Sequence, residues 1–179
     1  MTTASYEMTG IEKALKRVLK NKTVSSMFFF GERKFKEWTF DCQSCGNCVL
    51  SHTAFICPMR CPKQQRNGPC GGAMNGYCEV DRKKRCVWDE AWESANRINR
   101  MESLENNYEE ALDWRLYSTS AWDNMLEGRL PGPSLFHTMF KKDEPLLIEA
   151  PRVTFNMLRN AFRLHFGPSW RRWEGRGQL

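Results

Sequence analysis

The 179-residue chain lacks long apolar runs. Its apolar stretches are short, as in Met27-Phe28-Phe29-Phe30, far below the ~20 residues needed to cross a bilayer. The opening MTTASYEMTG holds no run of signal-peptide length. No membrane attachment is expected, and the chain reads as cytoplasmic. Histidine is scarce: His52, His137 and His165 are the only three. A nucleophilic cysteine would therefore have few candidate bases, and His52 reads as a spare ligand or a surface histidine. There is no G-x-x-x-x-G-K-[ST] and no G-x-G-x-x-G, so neither a phosphate loop nor a dinucleotide fingerprint is present. No acid–base pair stands out, and no internal repeat or low-complexity tract is visible. No catalytic residue is assigned.

Apolar residues make up 41% and charged residues 27%, which allows a modest core and excludes a wholly disordered chain. Seven Trp and eleven Phe, many outside the cysteine region, suit interface work as well as packing. The formal charge of +6 counts the cysteines as neutral. Two four-thiolate metal sites would bring it to roughly +2. Residues 151–179 carry six Arg and one Glu, or +5, so the body is near neutral. The basic total is thus a weak argument for nucleic acid. The run Arg82-Lys83-Lys84-Arg85 reads as a solvated loop.

Thr9 and Glu12 form a capping box. Ile11, Leu15, Val18 and Leu19 then recur at helical spacing, so a helix is expected over about 11–21, its stripe facing the chain's own core or a partner. Residues 26–40 read as extended, with Gly31 marking a turn. Residues 42–86 are rich in Gly, Pro, Asn and Cys and show no periodicity, so cross-links from a metal must help to fold them. A helix is expected from 87 to about 101, with Trp88, Trp92, Ala95 and Ile98 on one face. A second helical stretch is expected over 104–117. Ser120 and Asp123 cap a short third one, ended by Gly128 and Pro131. Phe155, Leu158, Phe162 and His165 share a helical face within 153–166, and Gly167-Pro168 stops it.

The expected fold is a small metal-stabilised, cysteine-rich domain of irregular loops flanked by α-helices. Its segments are 1–41 (helix and extended segment), 42–86 (metal-binding domain), 87–130 (helical) and 131–179. The last is a basic aromatic extension suited to partner binding, with a helix folded back on the chain itself as the alternative.

The cysteines are Cys42, Cys45, Cys48, Cys57, Cys61, Cys70, Cys78 and Cys86. In a reducing compartment, eight of them argue for metal rather than disulfides. Cys42, Cys45 and Cys48 form C-x-x-C-x-x-C, whose spacing lets three thiolates reach one cluster. Gly46 lets the backbone bend close and aim N–H groups at sulfur. Cys57 and Cys61 each precede proline, as ligand cysteines of bacterial ferredoxins do. Eight thiolates fit two four-ligand sites. One division groups Cys42, Cys45, Cys48 and Cys61 on a [4Fe-4S] cluster, and Cys57, Cys70, Cys78 and Cys86 on a second site holding iron–sulfur or zinc. Spacing alone does not fix the partition.

The run CQSCGNCVLSHTAFICPMRCPKQQRNGPCGGAMNGYCEVDRKKRCVW resembles the methylenetetrahydrofolate reductase C-terminal domain family, which includes the small subunit of the two-subunit reductases of acetogenic bacteria. The pieces are C-x-x-C-G-x-C-V-L, I-C-P, C-x-K, N-G-P-C-G-G, G-x-C-E-V and C-x-W. One departure is that three residues separate Cys57 from Cys61, where one more is expected. The resemblance implies a flavin-bearing catalytic barrel on a partner subunit, where methylene-tetrahydrofolate is reduced, with the eight cysteines of this chain as metal ligands. The expected role is an accessory iron–sulfur electron-transfer subunit of such a hetero-oligomer, non-catalytic by itself. The alternative is a structural zinc module in the same complex.

Overall fold

The computed structural model describes residues 10–105, 111–130 and 145–167. Among them it is mostly helix and coil, with no strand and only isolated bridges at Met74–Tyr77 and Tyr77–Arg85. Helix α1 spans Gly10–Leu19 and buries Glu12 and Leu19, but Ile11 and Val18 of its apolar stripe stay exposed.

Residues 26–40 are not extended. They lie in a second helix, α2, Lys22–Phe40. Asn21 starts it: its side chain accepts hydrogen bonds from the Thr23 and Val24 N–H groups, which would otherwise lack partners. Glu32–Lys36 and Arg33–Glu37 are i,i+4 pairs that only a helix brings together. The aromatic run Phe28–Phe30 resembles a strand in composition, and Gly31 a turn. A glycine costs a helix only ~1 kcal/mol, and capping and tertiary burial outweigh it here. Asp41 in the left-handed conformation (φ 52°) ends the helix.

Helix α3, Val87–Arg97, starts at Cys86 and buries Trp88, Ala91 and Ala95. It is shorter than the spacing suggests, since Ile98 caps it and Asn99 has φ 56°. Trp92 faces outward, 50% exposed. The continuous helix expected over 104–117 is not formed. Helix α4 covers only Met101–Glu105, residues 106–110 lie outside the described residues, and Asp113 caps a separate 3-10 turn, Trp114–Leu116. Ser120 caps α5, Ala121–Leu126, by accepting from the Asp123 N–H at 2.9 Å. Gly128 follows with φ 72°, and Pro131 lies outside the described residues.

Helix α6, Leu146–Phe166, starts earlier than expected and ends at Gly167. It folds back against α2. Its inner face is largely polar: Glu149, Val153, Asn156, Asn160 and Ala161 are buried. Specific partners make that burial tolerable. Arg100 meets Glu149 at 2.7 Å, and Asn156 donates to Ser94 Oγ at 2.8 Å and accepts from Arg97 Nε at 3.2 Å. Phe155, Leu158 and Phe162 occupy the outer face, 57–71% exposed. The core joins Phe40 of α2, Leu50 to Met59 of the cysteine loops, Ala95 and Ile98 of α3, and Val153 of α6. The loop segment thus supplies core residues of its own, and helices distant in sequence close over them.

Candidate metal centre

Cys42, Cys45, Cys48 and Cys57 line one pocket of about 460 Å³, counting its open mouth. Cys42 follows the left-handed cap of α2, which turns the chain inward. Ser44 (φ 52°) and Gly46 (φ 74°) then wind the C-x-x-C-x-x-C segment into a tight loop. Cys57 joins the lining from the start of the 3-10 turn Pro58–Arg60.

The loop is braced from residues 113–124. Ser118 N–H donates to Ser44 O at 2.8 Å. Asn47 Nδ2 donates to Cys45 O and Asp113 O, and Asn124 Nδ2 to Gly46 O at 3.1 Å. Arg66 Nη2 donates to Asn47 O at 3.2 Å. A Cβ on Gly46 would collide with the Leu116 carbonyl oxygen, which explains glycine at this place. Backbone N–H groups reach sulfur, with Ser44 N 3.3 Å from Cys42 Sγ and Leu50 N–H directed at Cys48.

The sulfurs feel one another. A shared hydrogen bond with Cys57, aided by the Ser44 N–H and the Lys36 charge, pulls the Cys42 thiol down to about 7 against the effect of burial. The same bond, with burial, pushes Cys57 well above the usual thiol range. Burial and then the charge of Cys48 raise Cys45 to about 11, and burial raises Cys48. Three of the four are therefore neutral near pH 7 unless something takes their protons.

The remaining cysteines lie elsewhere. Cys61 closes the 3-10 turn through N–H to Pro58 O and does not line this pocket. Cys70 is exposed, 3.8 Å from Glu79 Oε1. Cys78 N–H donates to Lys84 O, and Cys86 N–H to Gly76 O, so the loop between them is closed on itself. Among the described residues, no three His, Cys, Asp or Glu side chains already stand at metal-holding geometry, and all eight cysteines are free thiols. The donor chemistry of the pocket nonetheless fits a thiolate-bound metal: four cysteines on its lining, N–H groups aimed at two of them and a buried cation. His165 stacks on Trp38, away from the cysteines, and His137 lies outside the described residues.

Sequence reasoning passed over Glu32 and Lys36, buried and paired at 2.5 Å, with Lys36 and Glu32 both lining the pocket. Their i,i+4 spacing was the available signal. Asn47, Arg66 and Asn124, the polar brace, left no signal that one sequence reveals.

Comparison with curated proteins and with solved structures finds no match. The family described as "Methylene-tetrahydrofolate reductase C terminal" matches residues 21–115. That match opens at the cap of α2, takes in all eight cysteines and ends inside the 3-10 turn, more than half of the chain, and so the protein belongs to the methylene-tetrahydrofolate reductase C-terminal family.

Proposed function

We propose that the chain is the accessory iron–sulfur electron-transfer subunit of a flavin-dependent methylenetetrahydrofolate reductase-type complex. The observation that carries this reading is that Cys42, Cys45, Cys48 and Cys57 line one pocket. These four are the ligand set we assign, with Cys57 in place of Cys61. A [4Fe-4S] cluster bound there would take up and give back one electron at a time. The chain's own residues would hold the sulfurs, exclude water through Val49, Leu50 and Met59, and set the local charge. Cys61, Cys70, Cys78 and Cys86 are left as the second set, for iron–sulfur or zinc, on loops whose Gly and Pro content calls for cross-links.

A catalytic partner fits the outer face of α6. Leu147, Ile148, Phe155, Leu158, Phe162 and Phe166 form an exposed helical stripe on a helix whose inner face carries asparagines. An apolar stripe of this kind marks an interaction surface, and the flavin would reside on the subunit that covers it.

Anaerobically prepared protein should contain iron and labile sulfide, about four irons per filled cluster. Ser in place of Cys42, Cys45, Cys48 or Cys57 should empty the first site, whereas Cys61→Ser should spare it. Normal iron in all four pocket variants would refute the ligand set. Colourless protein holding only zinc would favour the structural reading.

A further inference from the structure

Lys36 is a buried cation with no evident need to be inside. It lies on α2 with only 4% of its surface exposed and lines the cysteine pocket. Its ammonium contacts Glu32 at 2.5 Å and sits over the Trp122 ring, 4.9 Å from the centroid. Glu32 does not depend on it for hydrogen bonds. Ser120 Oγ donates to Glu32 Oε2, and Trp122 N–H reaches Oε1 at 3.3 Å. A buried ion pair is seldom more stabilising than apolar side chains of the same volume, so stability alone is a poor reason for the pair.

The sulfurs supply a better one. Lys36 lines the same pocket as Cys42, Cys45, Cys48 and Cys57, so its positive charge lies beside the place where thiolate charge would gather.

We propose that Lys36, steadied by Glu32, sets the reduction potential of a cluster held in this pocket. The inference rests on the reading of Cys42, Cys45, Cys48 and Cys57 as its ligands. A cluster held there would gain one negative charge on accepting one electron from an external one-electron donor, with no bond broken. A fixed cation in a low-dielectric site stabilises that reduced state more than the oxidised one. Glu32 opposes it in part, so the pair tunes the potential in both directions.

The test is a dithionite titration of the anaerobic full-length protein, followed by electron paramagnetic resonance, with iron and sulfide counted on each sample. At a fixed applied potential, Lys36→Met should lower the reduced-to-oxidised ratio about tenfold, or ~59 mV for one electron. Lys36→Arg should restore most of it. Glu32→Gln should move the ratio the other way. Iron retained by Lys36→Arg but lost by Lys36→Met would also support a charge role. An unmoved potential in Lys36→Met and Glu32→Gln would overturn the proposal, as would equal shifts or equal iron loss in Lys36→Met and Lys36→Arg, which would make Lys36 a packing residue. Wild-type protein without iron would fail earlier, at the ligand assignment, a result distinct from a filled cluster with an indifferent Lys36.

Discussion

Gly46→Ala should be one of the most damaging single-methyl additions in the chain. The residue holds φ 74°, where an alanine costs ~1–2 kcal/mol. Steric contact adds more, because the new Cβ would strike the Leu116 carbonyl oxygen and lie 2.7 Å from its carbon. The obstacle is backbone, so the cysteine loop and residues 113–118 must separate. That separation strains three braces: Ser118 N–H to Ser44 O, Asn47 Nδ2 to Asp113 O, and Asn124 Nδ2 to Gly46 O. At ~1 kcal/mol each, losing two of them with the strain gives about 3–4 kcal/mol. A domain of ordinary stability has only ~5–15 kcal/mol to lose. Urea unfolding, followed by Trp fluorescence, measures the cost. Gly128→Ala is the control, since Gly128 has φ 72° but nothing within 4 Å of a Cβ, and it should cost only the ~1–2 kcal/mol of strain. Equal losses from the two substitutions would show that the brace against Leu116 contributes nothing.

Three further outcomes follow from particular contacts. Gly31→Ala should stabilise by ~0.5–1 kcal/mol, because Gly31 lies inside α2 with open space around it; destabilisation in the same urea assay would argue against the helix there. Glu149→Ala should cost about 3–5 kcal/mol by leaving the Arg100 guanidinium buried without its 2.7 Å partner, and a loss below ~1 kcal/mol would mark the pair as no better than a surface one. Burial raises the Glu90 carboxyl from 4.5 to about 7 despite its pairing with Arg60, so the folded state binds this proton more tightly than the unfolded chain does. The resulting stabilisation is complete below about pH 4.5 and is lost as pH rises through about 7; Glu90→Gln should flatten that part of the stability–pH curve, and an unchanged slope would contradict the raised value.

Where the sequence was legible, short-range signals decided the outcome. The Ser120 cap, the stop at Gly167 and the tight turn at Gly46 each depend on a residue and its near neighbours. The helical nature of α2 was also encoded locally, in Asn21 and in the Glu32–Lys36 and Arg33–Glu37 spacings, but an aromatic run and one glycine masked it. Other features were not local at all. That Cys57 rather than Cys61 lines the pocket of the first three cysteines goes with their places at opposite ends of the 3-10 turn Pro58–Arg60. Spacing puts both cysteines within reach, and only tertiary packing separates them. The inner face of α6 is similarly opaque, because Asn156 and Asn160 find their partners in Ser94 and Arg97, far away in sequence.

The residues beyond the family match are built into the candidate site rather than appended to it. Matching ends at residue 115, yet Glu32 receives hydrogen bonds from Ser120 and Trp122, and Gly46 O receives one from Asn124. Val153 of α6 is buried in the same cluster as Cys45 and Cys57. A helix that only tethered a partner would have no reason to bury Glu149 against Arg100 or to seal the cysteine core from behind. Helix α6 therefore presents two faces of different character. Its polar inner face is specific to this chain, because each buried amide must meet a matched partner. Its outer face, from Leu147 through Phe166, is apolar and less demanding of geometry, suited to a second surface. Val153, on the inner face of the same helix, packs in the cluster that contains Cys45 and Cys57, two of the proposed ligands.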